Sequence, residues 1–197
     1  MSWIEPVVLE GRHVRLEPAG LEHIDRLWAV ADDASIWRYI PLPVRDRAEM
    51  AFFVEYLRAT GCYFATVERA TDTVVGGTGF LAPDEANRRV EIGATWITPS
   101  RQRSAINTEA KLLQLMHAFE VLGCARVEFK TDARNERSRA ALTRIGAREE
   151  GTLRKHMLLP DGTWRDSVYF SILDSEWPDV AADLERRIIE HAGSDGR

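Results

Sequence analysis

Arg88 to Thr131 reads "RRVEIGATWITPSRQRSAINTEAKLLQLMHAFEVLGCARVEFKT", and no other stretch constrains the fold as much. Val90, Ile92, Ala94 and Trp96 alternate with Glu91, Gly93, Thr95 and Ile97, the period of a strand over Arg88–Thr98. From Thr108 to Val121 the period changes. Leu112, Leu115, Met116 and Phe119 share a helical face, and Gly123 ends it. "ARVEFKT" is again a strand. A strand–helix–strand crossover is right-handed and lays its two strands side by side or nearly so.

The rest of the chain surrounds this unit. Val7–Glu17 alternates about Gly11 and predicts a strand with a bend or bulge. Leu21–Ala31 has helical spacing. "IWRYIPLPV", Ile36 to Val44, is an aromatic loop with a short helical turn, broken by two prolines. Asp46–Thr60 predicts an amphipathic helix with Phe52, Phe53, Tyr56 and Leu57 on one face, stopped by Gly61. Strands follow at Cys62–Glu68 and Thr73–Leu81, joined by a hairpin-like "RATD" turn. Asn135–Ile145 is a helix stopped by Gly146. A hairpin turns at Pro-Asp-Gly before "WRDSVYFSIL". Ser175–His191 is a terminal helix with Pro178 in its first turn, followed by a frayed tail, "AGSDGR". With no repeat or linker, residues 1–197 read as one α+β domain in which 174–197 are a C-terminal helix and tail.

Charge narrows the partners. The net charge of −5 argues against nucleic acid and against an anionic membrane surface. No run approaches the roughly 18 apolar residues of a membrane span, and the N-terminus lacks a signal-peptide pattern, so the expected compartment is the cytoplasm. Cys62 and Cys124 lie in apolar runs and are expected to be buried, reduced thiols. No Cys/His spacing suggests a metal site.

The loop between the strand and the long helix asks a chemical question. A helix N-terminus offers free N–H groups and a positive dipole end, and Arg101, Gln102, Arg103 and Ser104 add donors and charge. Phosphate loops usually rely on glycine, yet Pro99 to Asn107 has none. On local physics the stretch is either an anion cradle or a solvated turn capped by Asn107.

"EIGATWITPSRQRSAINTEAK" together with "TDARNERSRAALTRIGA" resembles the GCN5-related N-acetyltransferases, specifically their RimJ/RimL-like branch. The likeness extends from Val8 to Leu173 and is densest between Val90 and Ala147. It implies a mixed, mostly antiparallel twisted sheet of about seven strands flanked by helices, with a V-shaped splay between the family's fourth and fifth strands. It also implies acetyl-CoA as co-substrate and no metal. In the family a Q/R-x-x-G-x-G/A/N loop holds the pyrophosphate. Here that loop is Gln102, Arg103, Ser104, Ala105, Ile106 and Asn107, followed by Thr108. Ala105 replaces the usual glycine. A positive φ there would cost about 1 kcal/mol, whereas a negative φ leaves only a methyl that narrows the approach. Asn135 matches the family's asparagine for the pantetheine or acyl arm and is also a helix N-cap type. Arg139 and Arg144 follow one or two turns on.

The activity implied is direct attack of an amine on the thioester, without an acyl-enzyme. The acceptor would be a protein N-terminus, an amino acid or a small amine. Such a reaction needs a base, a donor to the carbonyl oxygen and an acid for the thiolate. The resemblance places the donor at a backbone N–H near Trp96 or Ile97. Many members carry a tyrosine as the acid; Leu142 stands there, and Ser138 fits the branch's alternative. Glu91 is the candidate base, otherwise a strand glutamate in a cross-strand pair. Asp166 fits a recurrent branch position. His156 lies near where some relatives place a carboxylate, Met157 is the other nearby match, and His117 reads as structural. Trp37, Arg38 and Tyr39, with Trp164, are expected at the acceptor pocket, or else in the core or a dimer interface. Alternatives are a non-catalytic CoA-binding module and a succinyl-CoA-dependent enzyme; family habit suggests a homodimer.

Overall fold

The computed structural model describes residues 3–42 and 44–194. They form an eight-stranded sheet in the order β1-β2-β3-β4-β5-β6-β8-β7. The strands are β1 (Leu9–Glu10), β2 (Val14–Pro18), β3 (Gly61–Glu68), β4 (Thr73–Asp84), β5 (Arg89–Ile97), β6 (Arg126–Asp132), β7 (Arg148–Leu158) and β8 (Trp164–Leu173). The helices are α1 (Ile24–Trp28), α2 (Ala34–Trp37), α3 (Arg47–Thr60), α4 (Ala105–Met116), α5 (Glu136–Arg144) and α6 (Trp177–Ser194). Among the described residues β5 and β6 make the one parallel pairing, as a crossover through α4 requires.

Several boundaries differ from the sequence reading for definable reasons. Val7–Glu17 is a small hairpin, not one bent strand. Gly11 N–H bonds to Val14 O, and Leu9 pairs with Leu16. The helix expected over Leu21–Ala31 is a 3₁₀ turn, Leu21–His23, running into α1. In α3 the buried side chains are Met50, Phe53, Val54 and Leu57, whereas Phe52 is 62% and Tyr56 47% exposed. Spacing of 3, 4 and 7 from Met50 defines the inner stripe, and Phe52 and Tyr56 fall outside it. Gly61 has an extended φ of 179, so it is not a left-handed stop. A Cβ there would stand 2.0 Å from the Phe80 carbonyl oxygen, so glycine is needed for close strand approach.

In α4 the helix starts three residues before Thr108, capped by Ser104 rather than Asn107. Its buried face includes Ile106, Ala110, Leu113 and Leu115, while Met116 is 38% exposed. The helix runs into a wide π turn, His117–Val121, before Gly123 at φ 65. The terminal helix reaches Ser194 and so takes in part of the expected tail; 195–197, like Pro43 of the "IPLPV" segment, lie outside the described residues.

Two apolar layers hold the sheet. On one face Val14, Leu16, Phe64, Phe80, Val90, Ile92, Val127, Phe129, Phe170 and Ile172 form a core with side chains of α4 and α6. On the other face Tyr63, Ala65, Val67, Val74 and Trp96 form a core with side chains of α1, α2 and α3. That second cluster takes nothing from β6, β7 or β8. Their same-side positions are polar instead: Glu128, Lys130 and Asp132 pair in register with Ser171, Tyr169 and Ser167. Half of one sheet face beside α2 is therefore polar and lacks the apolar helix layer, although Glu91, Asp132, Arg165, Ser167 and Ser171 on it are buried.

The splay follows from the ladders. β5 and β6 are joined only at Arg89–Arg126, Val90–Val127 and Glu91–Glu128. Beyond Glu91, β5 continues along β4 alone. There Ala94 and Thr95 stand opposite the single residue Thr78, and Ala94 takes a φ of 49. Such a two-against-one bulge bends the strand and re-aims its backbone.

Candidate active site

The loop from Thr98 to Ser104 sits at the mouth of the splay and is tied down by its own polar groups. Gln102 Nε2 donates to the Ile97 carbonyl at 2.8 Å, and Gln102 Oε1 accepts from Arg137 Nη1 of α5 at 2.7 Å. Ser104 Oγ donates to the Arg101 carbonyl at 2.7 Å and accepts the Ile106 N–H at 3.4 Å. Arg101 pairs with Glu68 at 3.0 Å. Arg103 is exposed and carries the left-handed turn of the loop, φ 62. Ala105 is simply the first helical residue and has no positive φ. The backbone freedom that glycine would supply is thus used at Arg103, and Ala105 contributes only its methyl. Asn107 and Thr108 are half-buried in the first turn.

Across the splay lies α5. Asn135 caps it, accepting the Ser138 N–H at 3.1 Å, and none of its described residues is buried. Ser138 is half-buried there. Leu142 leans on the core from a half-buried position. Arg139 is turned to β7, where Nη2 pairs with Glu149 at 3.1 Å.

The polar half of the sheet face supplies the charged groups. Glu91 is 5% exposed, and its Oε2 accepts from Lys130 Nζ at 2.8 Å. Gly93 makes room for it, since a Cβ there would stand 2.7 Å from Glu91 Oε1. His156 lies against Tyr169 with ring centres 5.8 Å apart. Its pKa is held below the ordinary histidine value by burial, then by Lys130 and Arg165, with Glu91 opposing. Arg165 is buried, and its Nη1 donates to the Tyr39 carbonyl at 3.2 Å.

Other expected site residues have plain structural tasks. Trp96 donates Nε1 to Tyr63 Oη at 2.8 Å within the second core, so only its backbone is left to face the splay. Ile97 belongs to the first core. Trp37 packs on Phe53 and Trp96, each with ring centres 5.5 Å apart. Its Nε1 donates to the Ala31 carbonyl, so it is a wall of the core. Arg38 stacks over the Tyr39 ring at 5.2 Å. Trp164 is 52% exposed at the hairpin end. Asp166 accepts the Lys155 N–H at 2.7 Å and holds a bulge in β7 where Lys155 has φ 49. Both cysteines are free and buried, and burial pushes each thiol up to about 11. His117 sits below its ordinary value because of burial. Among the described residues no three His, Cys, Asp or Glu side chains stand together as a metal site, and no helix is long and apolar enough to cross a membrane.

Two groups escaped the sequence reading. One is Arg165. The other is Lys111, 4% exposed inside α4, whose Nζ donates to Thr78 Oγ1 and Thr95 Oγ1 at 2.8 Å and to Gln114 Oε1 at 2.9 Å. A lysine amid the apolar positions of a helix was the available signal. Burial pushes its pKa down to about 7 from 10.5. Below pH 7 the lysine is charged in folded and unfolded chains alike, and the burial penalty is present in full. As pH rises from 7 toward 10.5 the unfolded chain keeps a proton that the folded chain has released, so stability climbs. Between pH 7 and 9.5 the rise should reach up to about 3 kcal/mol. Lys111→Met should abolish it, as read from urea midpoints at both pH values. Parallel pH dependence in both proteins would contradict the assignment.

The acetyltransferase (GNAT) domain model matches residues 13–148. YdaF of Bacillus subtilis, named for ribosomal N-acetylation, is 39% identical over 94 residues, 48% of this chain and 50% of YdaF. A crystal structure of a GCN5-related N-acetyltransferase from Brucella melitensis superposes with a TM-score of 0.88 at 33% identity, covering 94% of this chain and 86% of that one. Mycobacterium smegmatis RimJ, solved with CoA-disulfide, shares the fold with a TM-score of 0.80 at 24% identity, over 92% of this chain and 95% of that one.

Proposed function

The chain belongs to the GNAT acetyltransferases, and from that membership we propose that it moves an acetyl group from acetyl-CoA to a primary amine by direct attack. The observation that carries this reading is the splay itself. Its mouth is bounded by the Thr98–Ser104 loop and the start of α4 on one side and by the capped start of α5 on the other, with Glu91 buried on its floor. The donor set suits an anionic, phosphate-bearing cofactor: loop and helix N–H groups, with Arg103 exposed beside them. The relative RimJ was solved with a CoA derivative in the same fold.

Acetyl-CoA, when bound, supplies the activated acyl group. The residues proposed to hold it are the loop Gln102 to Thr108 and Asn135, with Arg139 at the edge. Ser138 is the proposed proton donor to the departing thiolate. The bulged backbone of β5 near Ala94, Trp96 and Ile97 is the proposed donor to the carbonyl oxygen. Glu91 is proposed to take the amine proton, while Lys130 keeps its carboxylate oriented. Asp166 is proposed to position the β7 bulge, its Oδ1 accepting the Lys155 N–H. The acceptor is proposed to approach Glu91 from the polar side of the sheet near Tyr39. YdaF's name, ribosomal N-acetyltransferase, suggests an amine of a ribosomal component as one class of acceptor.

Release of free thiol from acetyl-CoA with a panel of peptides, amino acids and small amines tests the proposal. Thermal protection by CoA with no thiol released for any amine would replace it with a non-catalytic CoA-binding module. Gln102→Ala should raise the CoA dissociation constant about 5- to 20-fold, since it unties the loop from both Ile97 and Arg137. Unchanged affinity in a calorimetric titration would remove this loop from the site.

A further inference from the structure

Arg165 is a guanidinium only 4% exposed, and among the described residues no carboxylate lies within ion-pair distance of it. The two acids nearby are taken. Glu91 is held by Lys130 and Asp132 by Arg134, each at 2.8 Å. Arg165 Nε is buried without a partner, and its Nη1 makes one long bond to a backbone carbonyl. Ser167 is two residues along β8 and therefore on the same face, and its Oγ is also buried without a partner. An uncompensated buried cation costs several kcal/mol, a penalty that an anionic partner would offset. Burial also lowers the Arg165 pKa, with Asp132 opposing. Glu91, Lys130, Asp132, Arg134 and Arg165 together carry one net positive charge, with Arg165 beside Tyr39.

We propose that Arg165 and Ser167 form a subsite for a carboxylate carried by one of the two reacting molecules. Arginine presents its donors in a fork that matches a carboxylate, and Ser167 Oγ supplies a further donor. The carboxylate belongs either to the acceptor, which is then a free amino acid or a similar amino acid-like amine, or to the acyl group, which is then a dicarboxylic half-thioester. The proposal rests on the acyltransferase reading, and its test separates the two.

In the first arm, kcat/KM with acetyl-CoA is compared for amino acids and their carboxamides. In the second, acetyl-CoA and succinyl-CoA are compared with one neutral amine. The wild-type protein should favour the carboxylate-bearing member of one arm by about 30-fold. Arg165→Gln should shrink that preference to about 3-fold, the ratio for each matched pair being read within the same variant; Arg165→Lys should retain part of it. Equal rates for acid and amide and for both acyl donors would overturn the subsite, with no variant needed. A preference that survives in folded Arg165→Gln would overturn it too. Should no amine be turned over, the acyltransferase reading fails separately. The subsite is then read from the binding affinities of the same matched pairs, where equal values overturn it.

Discussion

Glu109→Ala is expected to lower the free energy of unfolding by about 3–5 kcal/mol. Glu109 is 4% exposed in α4 and accepts the N–H groups of Arg12, His13 and Val14 at 2.7, 2.6 and 2.7 Å. Those three donors form the turn between β1 and β2, almost a hundred residues away in sequence. Removing the carboxylate strands all three at once and leaves a hole beside Gly11, where a Cβ would stand 2.5 Å from Glu109 Cδ. Glu109→Gln keeps the volume but turns donors of its own toward the turn, so it should cost about half as much. Urea titration measures both. A loss below about 1 kcal/mol for the alanine variant would mean that the turn is held by other groups.

The second large effect concerns turnover. Glu91→Gln should reduce kcat about 100-fold with little change in CoA affinity, because it removes the proposed proton acceptor while preserving shape. It also takes from Lys130 its anionic partner at 2.8 Å. A comparison with Lys130→Met separates the two consequences. Loss of orientation alone should lower kcat in both variants alike, whereas loss of the base should make Glu91→Gln clearly the worse. Wild-type turnover in Glu91→Gln would dismiss this residue as the base.

The crossover around α4 was readable because it is local. Two period-two runs flank a helical run, and a crossover of that kind joins parallel neighbours such as β5 and β6. Asn135 was readable as a cap for the same reason. Faces and caps decided by neighbours were less so. Phe52 and Tyr56 look as apolar as Phe53 and Leu57, and only the position of β3 and β4 decides which pair turns inward. Ser104 and Asn107 are both cap types, and the turn at Arg103 decides between them. Least readable were contacts between distant segments. Arg165 meets the Tyr39 carbonyl 126 positions away, and Lys111 meets Thr78 and Thr95 on two different strands. Nothing near these residues in sequence announces their partners.

The loop Thr98–Ser104 has no glycine and is pinned through Glu68, the Ile97 carbonyl and the Arg101 carbonyl. Its conformational entropy is therefore surrendered when the chain folds, together with the strain of about 1 kcal/mol stored at Arg103. Little disorder remains to be lost when a ligand arrives. The docking proposed at this mouth is thus closer to a rigid key meeting a preset ward than to a loop closing over its guest, and the protein's own stability carries the cost in advance.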